Sequence, residues 1–295
     1  MRMPLFRSQV LAILIGVLTA IGVFGGRAHA ADRMTVTVTG KGPDVVLIPG
    51  LASSGAVWDA TVKQLSATHR VHVVQVAGFA GAPVAGNAEG PVVAPLVEAV
   101  DAYIKSAHLK APAVIGHSMG GFTGLLLAQR HPEDVSRLMI VDSLPFFSVL
   151  FSPSATAESM KPQAEAMRDG MTAMSADAFA SQQAMTAPRM VKSPEGQKLM
   201  IAWSLASSRS VVGRAMYDLL TTDARAGLAA IKTPTTLLYP YDEAMGAPTA
   251  VIDATYAQAY AGLPGVTLKR IDDSRHFIML DQPKAFADAV DAFLR

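Results

Sequence analysis

The sequence contains no cysteine among its 295 residues. Disulfide bonds, thiolate metal sites and cysteine nucleophiles are therefore excluded, as is lipid attachment to an N-terminal cysteine. The folded chain must be stabilised by its buried core alone. Hydrophobic residues make up 51% of the chain, which is enough to build one large core.

Charged residues are also scarce, at 17% of the chain, and the formal net charge is only +1. Lysine and arginine form no run, so the sequence lacks the clustered basic surface that binds nucleic acids or anionic membranes. The seven histidines are scattered, and no phosphate-binding motif of the form G-x-x-x-x-G-K-[ST] occurs. We therefore expect no metal, no other cofactor and no nucleic-acid partner.

The longest apolar run stands near the beginning of the chain. Two arginines precede an apolar run over residues 10–24, and small residues follow at Ala28 and Ala30. This pattern predicts a secretory signal peptide over residues 1–30, cleaved before Ala31. The alternative is an uncleaved membrane anchor, but a run of about fifteen residues is short for a bilayer span. We expect an exported protein, periplasmic or secreted, without a stable membrane span after cleavage.

The remaining chain, residues 31–295, is predicted to form one domain in which short β-rich apolar runs alternate with helical stretches. A helix is predicted from Met119 to Gln129, ending before Pro132. This alternation predicts an α/β fold with a mostly parallel sheet and helices on both faces. The strand-like runs cover residues 35–39, 45–48, 71–76, 113–115, 138–141, 235–239 and 266–271.

Residues 146–230 interrupt the alternation. They hold alanine-rich helical segments without a clear strand, which predicts a helical cap inserted between two strands. Their methionines stand at positions 160, 167, 171, 174, 185, 190, 200 and 216. Flexible thioethers grouped over a cleft would line an adaptable apolar pocket, although ordinary helix packing explains any single one of them.

The segment IGHSMGG at residues 115–121 centres Ser118 in a G-x-S-x-G motif. A strand-like run precedes the motif and a helix-like run follows it, which is the setting of a nucleophile elbow. Such a tight turn exposes the serine hydroxyl, and the flanking glycines keep side chains out of the crowded turn. The motif therefore predicts that Ser118 is a nucleophile rather than a serine in an ordinary turn.

IGHSMGG, together with VVLIPGLASSGAVWDATVKQL at residues 45–65, resembles the α/β-hydrolase fold superfamily. The resemblance covers essentially all of the chain after the predicted signal peptide. It implies that the backbone N–H groups of Leu51 and Met119 form an oxyanion hole, which stabilises the alkoxide of the transition state. Pro49-Gly50 stands where the family usually has His-Gly.

A serine hydroxyl needs a base within hydrogen-bond reach. His276 follows the last predicted strand in RIDDSRHFIMLDQPKAF (residues 270–286), a segment that resembles the family's catalytic-histidine loop, although Arg275 stands where a glycine is common. His276 is therefore predicted to act as base for Ser118 and then as acid for the leaving group. His117 adjoins the serine but would point away from it in an elbow.

The acid that orients the histidine has three candidates. PYDEAMG at residues 240–246 lies where the family places its acid, and it offers both Asp242 and Glu243. The family spacing favours Glu243, whereas the shorter Asp242 is the commoner chemistry, and we prefer Asp242. Asp142 is the other alternative, because some members take their acid from the strand that follows the serine helix.

The residues together predict a serine hydrolase. A serine at the elbow argues against haloalkane dehalogenases and epoxide hydrolases, which need a carboxylate nucleophile. The default substrate is a small-molecule carboxylic ester with an apolar acyl group, cleaved through an acyl-enzyme. A carbon-carbon bond hydrolase, a lactonase or a perhydrolase of the same fold is the alternative. A noncatalytic binding protein is disfavoured because serine, acid and histidine all occur in order.

Overall fold

The structure is a computed structural model that describes residues 32–295. The predicted signal peptide and its cleavage point lie outside these residues. Within them, no helix combines the length and the apolar character that a bilayer span requires.

One seven-stranded sheet organises the described part of the chain, in the order β1-β3-β2-β4-β5-β6-β7. Strand β1 runs antiparallel to β3, and every other neighbouring pair is parallel. All seven strand-like runs of the sequence are strands, and the predicted α/β-hydrolase fold class is confirmed. The strands are β1 Met34–Gly40, β2 Asp44–Ile48, β3 Arg70–Val76, β4 Ala113–His117, β5 Arg137–Val141, β6 Thr235–Tyr241 and β7 Thr267–Asp272.

Helices cover both faces of the sheet, which explains why the central strands β2, β4 and β5 are apolar on both sides. One face packs under α2, α3 and α8, and the other packs under α1, α9 and α10. Helix α3 begins at Met119 as predicted and ends one residue later than predicted. The helices are α1 Asp59–Leu65, α2 Val93–Ser106, α3 Met119–Arg130, α8 Thr249–Ala259, α9 Ile278–Asp281 and α10 Pro283–Leu294.

Four further helices lie between β5 and β6, within the region predicted as a cap. They are α4 Ala157–Ala173, α5 Ala176–Met190, α6 Pro194–Ala206 and α7 Arg209–Thr221. Helix α4 packs against α7, and α5 packs against α6, so the second pair is nested inside the first along the chain. We call α4 and α7 the outer pair, α5 and α6 the inner pair, and all four helices the cap.

The outer pair is fastened to the body of the domain by polar contacts from α7. The Asp218 carboxylate accepts hydrogen bonds from the backbone N–H groups of Val92 and Val93, at 2.6 and 2.9 Å, where α2 begins. The Arg214 guanidinium donates to the carbonyl oxygens of Asn87 and Gly90. These contacts fix the outer pair on one side of the carboxyl ends of the strands.

Candidate active site

Ser118 lies in the turn between β4 and α3, at the carboxyl end of a central strand of the sheet. Its backbone has φ 52° and ψ −119°, a conformation that costs a residue with a side chain about 1–3 kcal/mol. The surrounding structure holds this turn, because the Ser118 N–H donates to the carbonyl of Val141 and its carbonyl accepts from the N–H of Phe122. The turn is the strained elbow that the sequence predicted.

Two glycines allow the elbow to form. A Cβ atom on Gly116 would lie 2.2 Å from the carbonyl oxygen of Gly120, and one on Gly120 would lie 2.2 Å from the carbonyl oxygen of Ile48. Both distances are far below van der Waals contact with backbone atoms that cannot move aside. The glycines of the motif therefore allow β2, β4 and the start of α3 to approach one another closely.

His276 lies on the loop between β7 and α9, and its partner is Asp142. The Nδ1 atom of His276 is 2.6 Å from Oδ2 of Asp142, the residue that directly follows β5. In the tautomer that donates from Nδ1 to this carboxylate, Nε2 is the ring nitrogen that can accept a proton. Ser118 and His276 line the same cavity.

A second hydrogen bond orients the Asp142 carboxylate. The Tyr256 hydroxyl, on α8, donates to its other oxygen, Oδ1. Burial, and then the neighbouring charge of Asp142, raise the pKa of the Tyr256 phenol well above its ordinary value, so the phenol keeps its proton. Both carboxylate oxygens are thus occupied, and the imidazole faces a fixed acceptor. Tyr256 could not be singled out in the sequence, because its role depends on how α8 packs against β6 and β7.

His117 is the second histidine of the site, and its side chain forms a hydrogen bond with the backbone of His276. Its Nε2 atom lies 3.0 Å from the carbonyl oxygen of His276, and the two rings are 4.5 Å apart. Complete burial, and then the charge of His276, lower the pKa of His117 well below its ordinary value, so the ring is neutral and Nε2–H donates. His117 lines the same cavity as Ser118 and supports the loop that carries His276, and its predicted orientation away from Ser118 stays a prediction.

Asp242, the preferred acid at the sequence level, has other partners. Its Oδ2 accepts from the Lys192 ammonium at 2.5 Å, and its Oδ1 accepts from the Arg275 guanidinium at 3.1 and 3.2 Å. The preference for Asp242 as the partner of His276 therefore differs from the structure, in which two cations hold its carboxylate. Glu243 is exposed and does not line the cavity that contains Ser118. Of the three candidates, only Asp142 meets the imidazole.

The ion pairs of Asp242 give a prediction for stability. Asp242→Asn is expected to lower the free energy of unfolding at pH 7 by about 1–3 kcal/mol, because charge-assisted hydrogen bonds are lost. The Lys192 ammonium, aided by Arg275, lowers the pKa of Asp242 below its ordinary 3.8. Its contribution is therefore complete above pH 3.8 and is lost as the pH falls through the lower pKa of the folded state.

Urea unfolding of both proteins between pH 7 and pH 2.5 checks this prediction, and the two stability curves should converge at the acid end. Glu243→Gln is the matched control, since it changes an exposed carboxylate that forms no ion pair with any residue from 32 to 295. A gap between wild type and Asp242→Asn that is the same at every pH would contradict the prediction.

The inner pair of the cap is joined to the loop that carries His276. The Phe277 N–H donates to the carbonyl of Met190 at 3.1 Å, and the Arg275 guanidinium donates to the carbonyl of Pro188. The Asp281 carboxylate bridges both segments, because it accepts from the N–H of Lys192 at 2.8 Å and from that of Arg275 at 2.9 Å. The histidine loop and the connection between α5 and α6 therefore form one hydrogen-bonded unit.

A cavity of about 620 Å³ lies between the strand ends and the cap, with Ser118, His276 and Asp142 in its wall. Its outer-pair side is apolar and includes Met167, Met171, Met216, Leu219 and Leu220. Five of the eight cap methionines noted in the sequence line it, the other two being Met190 and Met200. Met160 is instead packed against Phe146, and Met185 is exposed. The volume suits a small organic molecule.

The two residues of the predicted oxyanion hole lie on either side of Ser118. Leu51 follows β2 and lines the cavity. Met119 is the first residue of α3, so its N–H has no acceptor within the helix, while its side chain is fully buried in the core. Both lie at the end of the sheet where the buried Ser118 borders the cavity, and the assignment of their N–H groups to an oxyanion stays a prediction.

Comparison with known proteins gives a family and several relatives. The model of the alpha/beta hydrolase family matches residues 45–289. A pimeloyl-[acyl-carrier protein] methyl ester esterase of Aeromonas hydrophila is 39% identical over 117 residues, which are 39% of this chain and 44% of that protein. The chain thus spans less than half the length of the first curated relatives that it matches.

Two further comparisons extend over most of the chain. An enzyme of the same name from Chromobacterium violaceum is 28% identical over 264 residues, covering 88% of this chain and 96% of that protein. The crystal structure of an enol-lactonase from Burkholderia xenovorans superposes with a TM-score of 0.70 at 19% identity, covering 88% and 96% of the two chains. This structural likeness supports the fold alone.

Proposed function

Because the chain belongs to the alpha/beta hydrolase family, we propose that it is a serine hydrolase that cleaves a carboxylic ester through Ser118, His276 and Asp142. The observation that carries the proposal is the 2.6 Å contact between His276 Nδ1 and Asp142 beside a strained serine elbow in the same cavity. The curated relatives named as methyl ester esterases support the choice of an ester.

The chemistry proceeds in two halves. The Ser118 hydroxyl attacks the ester carbonyl while Nε2 of His276 takes its proton, and Asp142 stabilises the imidazolium without taking a proton itself. The backbone N–H groups of Leu51 and Met119 donate to the alkoxide, and the imidazolium then protonates the departing alcohol. Water attacks the acyl-enzyme with the same base, which releases the carboxylic acid and restores the serine.

The cavity supports an apolar acyl group of medium length. Thioether and aliphatic side chains from the outer pair form one whole wall. Each CH₂ of an acyl chain that is buried against this wall contributes about 0.8 kcal/mol to the free energy of binding. Flexible methionines fit chains of different lengths. The cavity volume of about 620 Å³ limits the length of acyl chain that can be buried in this way.

Hydrolysis of p-nitrophenyl esters from acetate to palmitate tests the proposal. We expect kcat/KM to rise from acetate through the medium chains, because each added CH₂ is buried, and to fall at palmitate, where the cavity is full. The control is the same series with the Ser118→Ala protein. A folded protein that hydrolyses none of these esters would sink the assignment to simple carboxylic esters.

Export is proposed on the first thirty residues alone, whose basic start, apolar run and small-residue end are those of a signal peptide. The intact mass of the protein recovered from a bacterial host with its full leader tests this proposal. A chain that begins at Ala31 supports cleavage, and a chain that retains residues 1–30 argues against it.

A further inference from the structure

The charged side chains that line the cavity containing Ser118 are few and unevenly placed. Asp142 is the one acidic residue in the wall, and it is engaged with His276. Two guanidinium groups, Arg189 and Arg275, also line the cavity. Arg275 is paired with Asp242, whereas Arg189 forms no ion pair and no hydrogen bond from its side chain to any residue between 32 and 295. The guanidinium of Arg189 is therefore available to a ligand.

Arg189 belongs to a polar stripe on the inner pair. Gln182, Thr186 and Arg189 follow the spacing i, i+4, i+7 along α5, so they lie on one face of the helix, and all three line the cavity. Gln183, next to them, is held by a hydrogen bond of 2.9 Å from Ser204 on α6. The outer-pair side of the cavity is apolar. The inner-pair side also holds apolar side chains, so the cavity has one apolar wall and one mixed wall, which carries the polar stripe and its cation.

Arg189 is also tied to the catalytic loop through its neighbours. Pro188 and Met190, on either side, accept hydrogen bonds from Arg275 and Phe277 through their carbonyl oxygens. The backbone at Arg189 is therefore fixed relative to His276, although the side chain itself is exposed. A substrate whose ester lies at Ser118 and whose charge lies at Arg189 is bound at two points of the same cavity.

We propose that Arg189 forms an anion subsite, and that the substrates are esters which carry a free carboxylate beyond an apolar spacer. This inference rests on the proposed esterase function and names its substrate class. The spacer packs against the apolar wall, the carboxylate pairs with the planar guanidinium, and Gln182 and Thr186 offer further hydrogen bonds. The carboxylate lies on either the acyl or the alcohol side of the ester, and these two cases need different substrates.

The first experiment compares matched esters with the wild-type protein. Monomethyl esters of dicarboxylic acids from succinic to sebacic acid place the charge on the acyl side, and their dimethyl esters are the neutral counterparts. Acetyl esters of ω-hydroxy carboxylic acids place it on the alcohol side, with their methyl esters as counterparts. We expect one charged series to be preferred over its neutral counterpart by about tenfold at the best length, since a partly exposed charge pair is screened.

The second experiment assigns the preference to the residue. In Arg189→Gln the ratio of charged to neutral kcat/KM is expected to fall about tenfold, and in wild type the ratio should fall as salt rises. Lys198→Gln is the matched control, because it removes one exposed cation of α6 that does not line the cavity, and it should keep the wild-type ratio. A ratio unchanged in Arg189→Gln, or one near unity at every length in both series, overturns the subsite.

Binding separates this inference from the esterase proposal. Calorimetry with the Ser118→Ala protein measures the affinity for monomethyl and dimethyl suberate without turnover, and the same is done for 6-acetoxyhexanoate and its methyl ester. Tighter binding of a charged ligand that disappears on adding Arg189→Gln supports the subsite even if no ester is hydrolysed. Equal binding of charged and neutral ligands overturns it, even if neutral esters are turned over well.

Discussion

Ser118→Ala is expected to lower kcat/KM for the best ester by about 10⁴-fold or more, since the covalent step has no other nucleophile. The loss should fall on kcat, because the cavity walls that bind the acyl chain are unchanged. The fold should not suffer: alanine tolerates the strained turn no worse than serine, and the turn is held by backbone hydrogen bonds to Val141 and Phe122. A fluorophosphonate should label the wild-type protein once, at Ser118, and should not label the variant.

The matched control is Ser143→Ala. Ser143 lines the same cavity and is buried, and its Oγ atom has no hydrogen-bond partner among residues 32–295. Its replacement should leave esterase activity within a few-fold of wild type. Retention of turnover by Ser118→Ala, with a mass spectrum free of wild-type contamination, would remove the serine mechanism altogether.

Asp142→Asn is expected to lower kcat about 10⁴-fold with the fold intact. The asparagine amide no longer stabilises the imidazolium, and an amide NH₂ that faces Nδ1 favours the tautomer with its proton on Nε2, which cannot accept from serine. The geometry behind this expectation is the 2.6 Å contact of Asp142 with Nδ1 and the Tyr256 hydroxyl on the other carboxylate oxygen.

Asp242→Asn is the matched control for this prediction. It makes the same chemical change at the end of the next strand, β6, where the family places its acid. Its effect on kcat should stay within about tenfold at a temperature where both variants are folded, because its carboxylate contacts Lys192 and Arg275 rather than the imidazole. The opposite ranking, with Asp242→Asn inactive and Asp142→Asn active, would reject Asp142 as the acid.

The fold could be predicted from the sequence because strands and helices leave local signals. Each of the seven β-rich runs is a strand, and the helix after the serine begins where expected, since burial on both faces and short spacing are visible in the residues themselves. The motif around Ser118 was equally readable, because the glycines that the elbow requires are its immediate neighbours.

The acid could not be chosen in the same way. Strands β5 and β6 are neighbours, so Asp142 and Asp242 emerge at the same edge of the sheet, and each strand end is compatible with the histidine loop. The choice is made by Lys192 and Arg275, which lie 50 and 33 residues from Asp242 in the sequence and capture its carboxylate. Contacts between residues so far apart in the sequence leave no periodic pattern from which they could be predicted. The arginine at 275, where a glycine is common, was the one local sign of a difference.

The cap, too, could be predicted only in part from the sequence. Its helices were predicted from composition, but the pairing of α4 with α7 around α5 and α6 depends on long-range packing. Arg189 illustrates the consequence, because an exposed arginine on an alanine-rich helix is unremarkable until the fold turns that face of α5 toward Ser118.

The nesting of one helix pair within the other makes the cap modular. Helix α4 ends beside the beginning of α7, where the Arg209 guanidinium donates to the carbonyl of Met174, so the chain leaves and re-enters the outer pair at nearly the same point. The inner pair is thereby one continuous segment bounded by residues 175 and 208, and its Ala187, Val191 and Met200 are buried in the core on one face of the sheet. Exchange of its cavity-lining residues alters the mixed wall while the apolar wall keeps its own attachment. A new selectivity is therefore reachable by grafting this single segment, provided that its link to the histidine loop is kept.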